Sequence, residues 1–157
     1  MKEGETNCCP RFDPKTYDDK TVVWNKKMFV KRKVISFFHI PLNFGSVIKK
    51  VCREIEQANA GTKIPIVLSD EKSPFYSNIY ISTKKAISKE LDVRVSGKFL
   101  TKVFEGPYSK VGKWTKEMRI YVEQHGKKVK QMYYYYTTCP KCAKTYGKNY
   151  VVLFAEI

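Results

Sequence analysis

The residue types that can do chemistry fall into a few groups. Cys139-Pro-Lys-Cys142 has the CxxC spacing that lets two sulfurs reach one tetrahedral metal ion, and Cys8-Cys9 can complete four thiolates if the N-terminal stretch folds back on it. Structural zinc and reduced, metal-free thiols both remain open. Redox use is the weaker option, because the motif reads as a loop between strands rather than a helix N-terminus. Two carboxylates stand beside apolar sequence: Glu105 at a strand end before Gly106, and Glu156 in the terminal run VVLFAEI, where Tyr150, Val152, Phe154 and Glu156 share a face. A carboxylate near rings and away from water suits proton transfer or pairing with a cationic ligand. Glu105 and Glu156 are therefore the candidate catalytic residues, acting as general base on an attacking water. Solvated-turn and frayed-end roles are the plain alternatives, and Asp70 and Glu71 read as solvated turn residues. His39 closes a strand near a possible pocket; His125 fits a structural place at a helix end. No Ser-His or Cys-His pattern supports a nucleophilic triad.

Aromatic side chains make up 14% of the chain. Flat rings offer large contact area at little rotamer entropy and stack on aromatic or cationic ligands. The candidate ligand-binding set is Phe37, His39, Tyr108, Trp114, Tyr133, Tyr135 and Phe154. In the run Tyr133–Tyr136, alternation sends Tyr133 and Tyr135 to one face, Tyr134 and Tyr136 to the other. Many of these rings must also serve as core.

The elements that position them follow from periodicity. Residues 22–29 and 33–40 read as two strands, the second stopped by Pro41. Phe44, Val47, Ile48, Val51, Cys52 and Ile55 form one helical stripe, with Asn43 placed to cap it and Gly61 to end it. Strands are expected at 64–68 and 78–87, around the turn-forming segment SDEKSPFYS. Residues 93–104 read as a long strand broken by Gly106-Pro107. Val111, Trp114, Met118, Tyr121, Val122 and His125 make a second stripe stopped by Gly126, and strands follow at 129–138 and 148–157. The order is β-α-β-β twice. At one constant offset Phe37 matches Phe104, Gly45 matches Gly112, and Val47, Val51 and Ile55 match Trp114, Met118 and Val122. The expected fold is α+β: a tandem β-α-β-β repeat, with an antiparallel sheet and two helices packed on one face. Residues 1–30 read as an N-terminal extension packed on a domain at 31–157, whose halves span about 31–88 and 91–157.

With 157 residues, 30 Lys+Arg against 15 Asp+Glu and a net charge of +15, the chain is long enough for one real core. Its hydrophobic content of 43% excludes intrinsic disorder. The lysines are scattered and no RNP-like, RGG or recognition-helix pattern appears, so a nucleic-acid partner is not expected. No apolar run reaches the ~18 residues of a membrane span, and the start has no signal-like apolar core. A cytoplasmic location without a membrane partner is the expectation.

The segment KVFEGPYSKVGKWTKEMRIYVEQHG, with Gly106-Pro107-Tyr108 before its helix, resembles the gyrase-inhibitor-like (GyrI-like) small-molecule-binding family, as does the doubled β-α-β-β order over residues 31–157. The runs CCPRFDP, FFHIPLNFG and YYTTCPKCAK are similar to a small bacterial branch of it. The resemblance implies a stand-alone domain holding flat hydrophobic or cationic molecules between aromatic side chains, with a buried carboxylate as charge partner. Some single-domain members resemble hydrolases that open strained cyclopropane rings. No helix-turn-helix precedes the domain, so a transcription-activator role is not implied. No cofactor is required, although zinc at Cys8, Cys9, Cys139 and Cys142 would be compatible. The competing class is a zinc-stabilised nucleic-acid or protein interaction module.

Overall fold

A computed structural model of the chain describes residues 11–38, 40–138 and 140–157. The fold is mixed α and β with antiparallel strand pairing, and its contacts divide it into two compact units. One is Trp24–Gly97. The other joins residues up to Val23 to Lys98–Ile157. The boundaries fall inside two long strands, β1 (Lys20–Phe37) and β5 (Asp92–Glu105). The residues before Val23 are bonded to β5, and the strand that begins at Lys20 runs on through residue 30.

In the 24–97 unit the order is β1, β2 (Ile40–Pro41), α1 (Phe44–Gln57), β3 (Val67–Asp70) and β4 (Tyr76–Ser82). β4 lies between β1 and β3, in register Phe29↔Ser82 to Ile35↔Tyr76 on one side and Val67↔Ile81 to Asp70↔Asn78 on the other. The sequence splits β1 in two because Lys26-Lys27 and Lys31-Arg32-Lys33 interrupt its apolar pattern. The backbone instead runs on: Lys26 takes a positive φ of 52°, and its N–H donates to Ser96 Oγ at 2.8 Å. Arg32 turns toward α1 and pairs with Glu54. Val30 and Val34 of β1, Ile79 and Ile81 of β4, and Val51 and Ile55 of α1 form the buried core on that face.

α1 starts where its stripe predicts, but Asn43 does not cap it through its side chain. Its Oδ1 accepts the Ile35 N–H at 2.8 Å, so the amide closes the β1-to-helix connection instead. The helix ends well before Gly61. Ala58 is its C-cap and Asn59 turns the chain at φ 50°, a left-handed place that asparagine tolerates.

The other unit runs β5, α2 (Val111–Gln124), β6 (Gln131–Tyr136), α3 (Pro140–Tyr146) and β7 (Tyr150–Glu156). β7 is central, in register Phe99↔Glu156 to Glu105↔Tyr150 with β5 and Gln131↔Glu156 to Tyr136↔Val151 with β6. Trp114, Met118 and Val122 of α2 pack on Leu100, Phe104, Met132, Tyr134 and Leu153. Between β6 and β7, where a loop was expected, the chain forms α3, with Pro140 at its first position, where a missing N–H costs nothing.

Gly106 is fixed by geometry. Its φ is +144°, and a Cβ there would meet Trp114 Cζ2 at 3.2 Å. Gly106→Ala is expected to destabilise the fold by about 1–3 kcal/mol, read as a lower denaturant midpoint at unchanged m-value.

Candidate functional site

The two carboxylates singled out in the sequence do share a face of the β5-β7-β6 sheet, the face turned away from α2. Glu156 stands opposite Phe99 and Glu105 opposite Tyr150. Six register steps separate them, about 20 Å along the strand, so they cannot act on one bond. Glu105 is exposed and Glu156 half-buried. Glu105 borders an open cavity of about 300 Å³, together with Gly106, Pro107, Ala143, Gly147, Lys148 and Asn149. Asn149 builds that rim: its Nδ2 donates to Gly106 O at 2.8 Å and its Oδ1 accepts from Thr138 Oγ1 at 3.0 Å.

The rings divide between the two faces of this sheet. Trp114 is 5% exposed and stacked on Phe104, with centroids 5.6 Å apart and planes at 20°. Tyr108 packs against the same core and donates its hydroxyl to Thr138 O at 2.5 Å. These two, expected to line a ligand groove, are held on the helix side. Tyr133, Tyr135 and Phe154 lie on the opposite face, as alternation requires. Phe12 and Tyr17 cover Tyr135 there: their rings are parallel, 6.2 Å apart, and each meets Tyr135 edge-on, while Tyr17 also meets Phe154 at 5.3 Å. Residues 11–19 belong to the stretch expected to pack on the domain, but with no periodicity there the sequence does not show which rings make the cover.

Polar contacts hold the cover in place. Thr101 Oγ1 donates to Tyr17 O at 2.6 Å, the Val103 N–H donates to Asp18 Oδ1 at 3.1 Å, and the Tyr121 hydroxyl donates to Asp19. Burial first, then the Asp19 hydrogen bond and the charges of Asp19 and Asp18, push the Tyr121 pKa up to about 12 from 10. A folded-state value above the unfolded one means that this contact stabilises fully below pH 10 and loses its effect as pH rises toward 12. The melting temperature of Tyr121→Phe is therefore expected to fall less than that of the unmodified chain between pH 10 and 12.

Phe37, another candidate, is an exposed residue of the 24–97 unit, 57% accessible. His39, Cys8, Cys9 and Cys139 lie outside the described residues. Cys142 is buried in α3, and Cys52, whose place on the helical stripe predicts burial, is exposed on α1. Among the described residues no group of three or more His, Cys, Asp or Glu side chains could hold a metal ion.

The carboxylate actually taken out of water is Asp70. Its composition context reads as a turn, but pairing with Asn78 makes it the last residue of β3, and it is 4% exposed. Asn78 donates from its backbone N and from Nδ2 at 3.2 Å, and the Tyr80 hydroxyl donates to Oδ2 at 2.9 Å. Among the described residues no Lys, Arg or His forms an ion pair with Asp70. Strand alternation puts Leu68, Asp70, Asn78 and Tyr80 on the face of this sheet away from α1. Phe29 meets Tyr80 edge-on at 6.5 Å, Trp24 meets Phe29 at 5.5 Å, and Lys31 Nζ sits 5.6 Å from the Tyr80 ring centre. A buried carboxylate held in one orientation by neutral donors beside aromatic rings is a positioned acceptor, the geometry general-base chemistry needs. One signal could have found it: Asp70 and Tyr80 lie on two runs separated by a turn, and pairing those runs brings both to one face.

No curated protein matches the chain. Among solved structures it is similar to one described as the crystal structure of an uncharacterized conserved protein from Listeria innocua. The TM-score is 0.62 at 12% identity over 88% of this chain and 92% of that one, a likeness of fold. The family model described as Bacterial hydrolase matches residues 1–157, and the chain belongs to that family.

Proposed function

We propose that the protein hydrolyses a small, hydrophobic, electrophilic molecule, with Asp70 as the group that takes the proton from the attacking water. The observation that carries this reading is the Asp70 carboxylate itself, 4% exposed, oriented by Asn78 and Tyr80. The water O–H breaks as its oxygen bonds to the electrophilic carbon. The proton goes to Asp70, and the electron pair of the bond broken at that carbon stays on the departing atom. Tyr80 and Asn78 hold the carboxylate in one orientation, so little of the barrier goes into ordering it. Membership in the hydrolase family and the GyrI-like resemblance of Gly106-Pro107-Tyr108 support the reading, as does the strand pairing within each unit, with the last strand central, which we read as tandem copies of one β-α-β-β design with α3 added in the second.

Lys31 sharpens the substrate class. Its ammonium beside the Tyr80 ring opposes a preformed cation and favours a neutral molecule on which negative charge develops. A strained cyclopropane conjugated to a carbonyl has that property. The test is consumption of such a compound by the unmodified chain and by Asp70→Asn, Glu105→Gln and Glu156→Gln. Loss confined to Asp70→Asn supports the assignment, and loss confined to Glu105→Gln would move the chemistry to the cavity beside Asn149.

A further inference from the structure

One end of the 24–97 unit carries an apolar surface that the proposed chemistry does not use. Ile35, Phe37, Phe38, Leu42 and Phe75 each expose more than half of their area. The three rings adjoin, and the backbone brings Leu42 beside Ile35. The Phe37 and Phe38 rings are 4.7 Å apart, Phe38 and Phe75 5.9 Å, and the Leu42 N–H donates to Ile35 O at 2.9 Å. Phe38 is held at φ +47°, a left-handed place in which a bulky residue is an outlier, and the turn keeps its ring in solvent. The surroundings are cationic. Residues 31–50 contain Lys31, Arg32, Lys33, Lys49 and Lys50 and no carboxylate. Lys33, Lys49, Lys50 and Lys72 are exposed, and Lys33 Nζ lies 4.2 Å from the Tyr76 ring centre.

We propose that this tip docks on the surface of an anionic phospholipid bilayer, the phenylalanines entering the headgroup region while the lysines face lipid phosphates. Aromatic rings flanked by lysines suit the interface between water and hydrocarbon. A second copy of the chain is disfavoured as occupant, because it would set the same unbalanced cations against each other. A nucleic acid would match the charge but leave Ile35 and Leu42 with nothing apolar to meet. Docking of this kind needs no spanning segment, and among the described residues no helix is long and apolar enough to cross a membrane. It departs from the expectation of no membrane partner, which rests on the lack of a spanning run and of a signal-like start.

The test is sedimentation of the full chain with phosphatidylcholine vesicles, with and without phosphatidylglycerol. Expected are at least tenfold tighter binding to the anionic vesicles and weakening with added salt, since each lysine near the surface contributes about fivefold. The double change Phe37→Ser with Phe38→Ser is expected to weaken binding at least tenfold. Lys49→Glu with Lys50→Glu, on the exposed side of α1, should do the same and keeps the test intact if the first pair fails to fold. The proposal is overturned if the unmodified chain stays in the supernatant, or if folded variants of both pairs sediment as it does. Sedimentation-equilibrium dimers abolished by either pair would also overturn it, by assigning the patch to a second copy.

Discussion

Asp70→Asn is expected to lower the rate of hydrolysis by about 10²- to 10⁴-fold, the range for loss of a positioned general base. The substitution keeps the shape of the side chain and one acceptor oxygen, so Asn78 and Tyr80 retain part of their bonding. It removes the group that receives the proton. Tyr80→Phe takes away one hydrogen bond to the carboxylate at 2.9 Å and leaves the base in place, so its effect should be smaller, about tenfold. The two changes act on one unit and should not add: with Asp70 already replaced, losing the Tyr80 hydroxyl should cost little more. Single-turnover kinetics on the four forms would show it. Full additivity would mean that Tyr80 acts on the substrate by itself rather than through Asp70.

The elements were legible wherever one period ruled a long stretch. The stripes beginning at Phe44 and Val111 became α1 and α2, and the alternation in Tyr133–Tyr136 sorted those rings correctly between faces. The readings that missed did so for physical reasons. Charges at Lys31, Arg32 and Lys33 look like an interruption, yet a strand tolerates them when Arg32 finds Glu54 and the lysine ammonium groups sit over the Tyr80 and Tyr76 rings. CPKCAKTYG has the composition of a turn, but its proline suits a helix start as well as a loop.

The site was harder to read because burial of a polar residue is a tertiary fact. Asp70 and Glu71 are neighbours in a run of turn formers, and pairing with Asn78 takes only Asp70 into the strand. Glu156 became a candidate base beside Glu105 because its local sequence is apolar, but it stands at the end of its strand, half-buried. Tyr108 and Trp114 lie in the segment that carries the family resemblance, and the proximity of Trp114 to Gly106 reflects packing: the indole closes over the glycine so tightly that a Cβ there would lie 3.2 Å from Cζ2.

Trp114→Ala separates those two roles and is expected to have the largest effect on stability. The side chain is 5% exposed, stacked on Phe104 and surrounded by Tyr108 and Met118 in the α2 core. Truncation removes its apolar area from the core and leaves a void that α2, a helix of 14 residues anchored at several points, cannot close. The expected loss is about 3–5 kcal/mol, measurable by urea unfolding, and comparable to much of the stability of a chain this size. A stacking platform in an open groove would behave differently, losing affinity or KM while stability changed by less than about 1 kcal/mol. Trp114→Phe provides the control. It keeps a ring against Phe104 and part of the volume, so it should recover more than half of the lost stability and leave the rate at Asp70 unchanged, because the indole belongs to the sheet face that carries α2 and not to the strand pair that holds Asp70.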